Sequence, residues 1–92
     1  MKDLHLTVDL VLDMKVIEFY GDYWHCNPRE KRFVPEYYHP YLKMTAYEKW
    51  EFDKNRIERL KNSGYEVMIV WEMDYNKNKE STISNCKKFL GV

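Results

Sequence analysis

Apolar and polar positions alternate with period two near the start of the chain. Leu6, Val8, Leu10 and Leu12 stand against Thr7, Asp9 and Val11, the signature of a strand from Leu6 to Leu12. After the polar break Asp13-Met14-Lys15, β-branched and aromatic residues continue from Val16 to Tyr20. The pattern predicts an antiparallel hairpin, although Asp-Met is not a favoured two-residue turn. Gly21 ends the second strand. Pro28, Pro35 and Pro40 punctuate Asn27 to Met44, which reads as an irregular loop. Thr45-Ala46-Tyr47-Glu48 then fits a capping box, predicting a helix from Ala46 to about Asn62 with Gly64 as its left-handed stop. Tyr65 to Trp71 is a nearly continuous apolar run, which suits a strand covered on both faces. Asn76 to Lys79 reads as a polar loop, and Ser81 opens a weaker helix through Leu90 with Ile83, Cys86 and Phe89/Leu90 on one side. The order β-β-loop-α-β-α implies an α/β fold: a mixed sheet flanked by helices, its second and third strands joined by a crossover helix.

Composition narrows the class without changing that picture. Ninety-two residues make one domain, 1–92, with a small core. Hydrophobic residues are 45% and aromatic residues 16% of the chain, with only three Gly and three Pro, so a disordered tail or linker is excluded. No apolar run approaches the ~20 residues of a membrane span, and no basic-then-apolar leader opens the chain, so no membrane partner is expected. Two Cys do not make a disulfide scaffold, and the composition reads as an intracellular, cytoplasmic domain. Fifteen basic residues balance fifteen acidic ones, which argues against a domain whose main task is holding nucleic acid. Charge still clusters, at Arg29, Lys31 and Arg32 and again at Lys54, Arg56, Arg59 and Lys61.

Several residues break the fold's own rules. A hairpin turning at Asp13-Met14 pairs Leu12 with Lys15, Val11 with Val16, Leu10 with Ile17 and Asp9 with Glu18. Two carboxylates facing each other cost stability unless a hard cation such as Mg²⁺ sits between them, or unless the register slips or both are solvated. On the helix, Ala46, Trp50, Ile57 and Leu60 form an apolar stripe, and Asp53 falls inside it. A buried Asp needs a partner: a loop amide, an Arg, or a cationic histidine whose pKa it would tune. His25 is the one strong candidate for such chemistry, lying just past the second strand near Glu18 and Asp22. His5 and His39 receive no role. Structural zinc from Cys26, Cys86 and a histidine is disfavoured, because no Cys-x-x-Cys or His-x₃-His spacing is present. Phosphate loops, serine-hydrolase elbows and His-Glu-x-x-His are absent too.

Val8 to Leu12, Val16 to His25, Trp50-Glu51-Phe52-Asp53-x-x-Arg56 and Gly64-Tyr65-x-Val67-x-Ile69-Val70-Trp71-Glu72 together resemble the very-short-patch-repair (Vsr-like) endonucleases. They resemble still more the phage-type homing endonucleases that carry a Vsr-like catalytic domain. The resemblance runs from about Thr7 to Glu72. It implies a restriction-endonuclease-like core that hydrolyses DNA phosphodiesters with Mg²⁺ in a bacterial or phage-infected cell. The family's metal-binding Asp falls on Asp9, its active-site His on His25 and its helix Asp on Asp53. Tyr23-Trp24 matches the aromatic pair that includes duplex-wedging residues in repair members. Two departures stand out. No lysine follows Glu18 at the Glu/Asp-x-Lys spacing, and only eight residues precede Asp9, so the related homing enzymes' upstream Glu is missing. Either the chain is a fragment, or Glu18 or Asp22 substitutes.

The expectation is therefore a Mg²⁺-dependent endonuclease domain acting on double-stranded DNA. Asp9 with Glu18 or Asp22 would hold the metal, His25 would be the general base and Asp53 would orient it. Arg29, Lys54 and Arg56 either contact phosphates or form a solvated face, and Tyr23 and Trp24 either stack on bases or plug the core. An additional DNA-binding domain in the full-length chain is implied, and a homodimer is compatible with the reading. The alternatives are an inactive DNA-binding or interaction module on the same fold, and an RNase or toxin using the same residues.

Overall fold

The computed structural model describes residues 9–92. Eight elements follow one another: β1 (Leu10–Leu12), β2 (Lys15–Tyr20), β3 (Tyr38–His39), β4 (Met44–Thr45), α1 (Ala46–Asn62), β5 (Glu66–Trp71), α2 (Glu72–Lys77) and α3 (Lys79–Leu90). The predicted first strand is present over Leu10–Leu12; Leu6 to Val8, like His5, lie outside the described residues.

β1, β2 and β5 form a mixed α/β sheet in that order. β1 pairs antiparallel with β2, matching Leu10 with Ile17, Val11 with Val16 and Leu12 with Lys15, the register expected from the alternation. The Asp13-Met14 turn closes because Asp13 takes φ 54°, a left-handed conformation that Asp tolerates better than most residues. β2 pairs parallel with β5, and α1 lies on the connection between them.

Period-two geometry sends alternate side chains to opposite faces. Glu18 and Tyr20 of β2, with Ile69 and Trp71 of β5, line cavities shared with α1. Ile17, Phe19 and Val70 instead line a wholly apolar space against Ile83, Cys86 and Leu90 of α3. Helices therefore cover both faces. Val16 and Leu60 are fully buried on folding, and Leu60→Ala would cost about 2–5 kcal/mol by leaving a cavity.

α1 starts where the capping box places it. Glu48 N–H donates to Thr45 Oγ1 at 3.1 Å, and Thr45 N–H to Glu48 Oε1 at 2.9 Å. Gly64 follows at φ 96°, beyond the helix's last carbonyls.

Two expectations are corrected. The segment from Asn27 to Met44 is not wholly irregular, since β3 and β4 pair as a short antiparallel ladder. Its organiser is His39, fully buried, whose Nδ1 accepts the Tyr41 and Leu42 amides while Nε2 donates to the Tyr23 carbonyl. The polar stretch 76–79 is also mostly helical: α2 runs to Lys77 and α3 begins at Lys79. Asn78 alone breaks them, its side chain accepting the Ser81 amide to cap α3.

Candidate active site

His25 lies in a tight turn that follows β2. The turn is held by backbone bonds from His25 N–H to Gly21 O and from Asn27 N–H to Asp22 O. Trp50 of α1 donates its indole N–H to the Cys26 carbonyl at 2.7 Å, fixing the turn against the helix. The imidazole stacks on Tyr20 with ring centroids 3.8 Å apart and planes 2° from parallel, and Trp71 meets it edge-on.

Asp53, one helical turn past Trp50, is 8% exposed. Its Oδ2 lies 2.8 Å from His25 Nδ1, and its Oδ1 lies 3.0 Å from Lys49 Nζ. The open question of Asp53's partner is thus answered by a histidine, joined by a lysine four residues earlier. With Nδ1–H donating to the carboxylate, the lone pair of the neutral imidazole sits on Nε2. That is the arrangement of a base with an orienting acid.

Glu18 is 3% exposed and forms an ion pair with Arg56 of α1. Burial lowers the Arg56 pKa from its ordinary value, and the nearby Asp9 charge opposes that shift. Asp9 stands one residue before the β1–β2 ladder, and its Oδ2 accepts the Phe19 amide. Asp9, Glu18, His25, Asp53 and Arg56 line a single cavity of about 220 Å³, together with Lys49 and Tyr20. The expected site residues Asp9, Glu18, His25 and Asp53 are therefore brought together.

Asp22 is placed elsewhere. Its Oδ1 accepts from Asn27 Nδ2 at 2.9 Å and from the Met73 amide at 3.2 Å, tying the His25 turn to the start of α2. Its own amide donates to Glu72 Oε1. Among the described residues, no group of three or more His, Cys, Asp or Glu side chains is spaced to hold a metal ion. Mg²⁺ asks for less, being held typically by one or two carboxylates with waters and substrate phosphates. Asp9 and Glu18 line the same cavity, where Glu18 pairs with Arg56 and Asp9 accepts the Phe19 amide. Zinc ligation is not assembled, because Cys26 is buried in a cluster with Phe33 and Ala46 whereas Cys86 lines the α3 side of the sheet.

The remaining candidates divide. Tyr23 packs on His39 and Phe33, with the Arg32 guanidinium 5.4 Å from its ring centroid. Trp24 is half exposed beside Tyr41, so it presents a ring to solvent. Arg29 makes a two-pronged ion pair with Asp74, and those bonds hold the Asp74 carboxyl below its usual range. Lys54 is exposed and lines a second cavity, bounded by Tyr20, His25, Trp50 and Trp71.

Sequence reasoning missed Lys49, Tyr20 and Arg56's pairing with Glu18. The first had a signal, since a residue four before Asp53 shares its helix face. No helix among the described residues is long and apolar enough to cross a membrane. No family model, no curated protein and no solved structure matches the chain.

Proposed function

We propose that the chain is the catalytic domain of a Mg²⁺-dependent DNA endonuclease with a restriction-endonuclease-like core of the Vsr-like kind. The observation that carries this reading is the His25–Asp53 pair opening onto one cavity with Asp9 and Glu18. A base with its orienting acid, next to carboxylates suited to a hard cation, is what phosphodiester hydrolysis requires.

His25 Nε2 takes a proton from the water that attacks phosphorus, while the bond from phosphorus to the leaving sugar oxygen breaks and that oxygen takes a proton from solvent. The imidazolium formed is stabilised by Asp53 Oδ2, which also fixes the ring's orientation. Tyr20 and Trp71 hold the ring plane, so little reorganisation accompanies proton transfer. Asp9 and Glu18 would hold Mg²⁺, which when bound supplies charge stabilisation at the phosphate. The half-exposed Trp24 offers a stacking surface to bases, and an attached DNA-binding domain provides targeting.

The test is single-turnover cleavage of supercoiled plasmid by the full chain. Nicking or linearisation that requires Mg²⁺, is lost on chelation and is lost in His25→Ala supports the reading; no cleavage of duplex DNA overturns it. A second reading, an inactive DNA-binding or interaction module, is favoured by the Glu18–Arg56 pairing, which occupies one of the two candidate ligands. Metal-independent binding without cleavage would select it.

A further inference from the structure

The cavity beside His25 is rich in acceptors. Asp9, Glu18 and Asp53 present carboxylate oxygens to it, and a phosphate group entering it brings only more acceptors. His25 Nδ1 is engaged with Asp53, and Arg56 is engaged with Glu18. Two further donor groups, the Lys49 ammonium and the Tyr20 hydroxyl, stand on the same walls.

Lys49 reaches in from α1 with its side chain 12% exposed, Nζ lying 3.0 Å from Asp53 Oδ1 and 4.8 Å from the centroid of the Phe52 ring. An ammonium carries three hydrogens, so the contact with Asp53 does not exhaust it. Tyr20 is 6% exposed, and its buried hydroxyl has no hydrogen-bond partner among the described residues. The stack on His25 fixes that hydroxyl's position relative to the base. A tyrosine hydroxyl is a donor in its ordinary neutral form, and this one lines the same cavity as Lys49. A buried donor without an acceptor is normally removed from a protein interior unless something else uses it.

We infer that Lys49 Nζ and Tyr20 Oη form the donor side of a phosphate subsite, hydrogen-bonding non-bridging oxygens of the scissile phosphodiester while His25 acts on the attacking water. The inference rests on the nuclease reading and names where that site holds its substrate. An ammonium and a neutral hydroxyl aimed at developing phosphate charge stabilise it without changing protonation state themselves.

The experiment compares single-turnover cleavage at saturating duplex DNA with thermal unfolding, using Lys49→Met, Lys49→Arg and Tyr20→Phe in the full chain. Lys49→Met lowers the rate roughly 10²-fold, as loss of one preorganised donor does, and Lys49→Arg restores much of it. Tyr20→Phe lowers the rate about tenfold, one neutral hydrogen bond's worth, while its melting temperature is unchanged or higher. A merely structural Lys49–Asp53 helix pair would lower the melting temperature of Lys49→Met and leave the folded protein's rate within about twofold of the original, overturning the inference. A lower melting temperature in Tyr20→Phe would show that the hydroxyl is already satisfied, and would overturn it as well. If the unsubstituted chain does not cleave DNA, the nuclease reading falls and inorganic phosphate decides the subsite alone. Saturable NMR shifts at both Lys49 and Tyr20, abolished in Lys49→Met, would then uphold it, and absence of such shifts would overturn it.

Discussion

His25 Nδ1 and Asp53 Oδ2 lie 2.8 Å apart although 28 residues separate them in the chain. The contact joins the turn after β2 to the middle of α1, and two residues working through one bond lose function as a unit. His25→Ala and Asp53→Ala should each lower the single-turnover cleavage rate by roughly 10²–10⁴-fold, the usual contribution of a positioned base. The double variant should lose little more than either single one. Multiplying losses would show that the two act independently.

Asp9→Asn should abolish Mg²⁺-dependent cleavage and leave the fold intact. The Asn carbonyl can still accept the Phe19 amide, so the change removes charge rather than the bond. The expected change in stability is within about 0.5 kcal/mol, read from urea unfolding. A variant that cuts normally, or that unfolds, would remove Asp9 from the metal assignment.

Breaking the pair between Glu18 and Arg56 should be costly from one side. Their side chains are 4% and 17% exposed, so Arg56→Met would strand a buried carboxylate and destabilise the chain by about 3–5 kcal/mol. Adding Glu18→Gln should recover part of that loss. A double-mutant cycle with no coupling would show that the two charges do not depend on each other.

Tyr20 gives the chain an alkaline weakness. Its folded pKa is raised by burial first, then by Asp53 and Asp9, while in the unfolded chain it titrates near about 10. A raised folded value means the stability is fully present below that unfolded pKa and is lost as pH climbs above it. Unfolding free energy should therefore fall more steeply above about pH 10 in the original chain than in Tyr20→Phe. Parallel curves would contradict the assignment.

DNA affinity of these residues alone should be low. Fifteen positive charges meet fifteen negative ones, and Arg29 and Arg56 are already paired within the fold. Binding to random duplex at physiological salt should sit near micromolar or weaker, with a shallow salt dependence. Nanomolar, site-selective binding would argue against a domain that relies on an attached module.

Much of the scaffold was legible because its signals were local or periodic. The alternation around Asp13-Met14 yielded the register of Leu10, Val11 and Leu12 on Ile17, Val16 and Lys15, and Thr45 with Glu48 marked the start of α1. Asp53 announced itself as a charge in an apolar stripe, its partner left open between a loop amide, an Arg and a histidine. What stayed hidden depends on contacts between segments distant in sequence. The bonds from Asn27 and Met73 to Asp22 Oδ1, and the pairing of Arg56 with Glu18, join segments that no local pattern connects. β3 and β4 are two residues each and rest on the His39 bonds, which leave no periodic trace. α2 lacks any buried residue, so no apolar stripe foretold it.

Apart from Asp9, the residues lining the cavity that holds Glu18, His25 and Asp53 come from the single stretch 18–56. α3 covers the side of the sheet that bears Ile17 and Val70. The candidate chemistry thus gathers between the sheet and α1, while α3 packs on the opposite side. A tether grafted onto the outer, exposed side of α3 stands across the sheet from His25, which makes that side of the helix the natural handle for immobilising or fusing this domain.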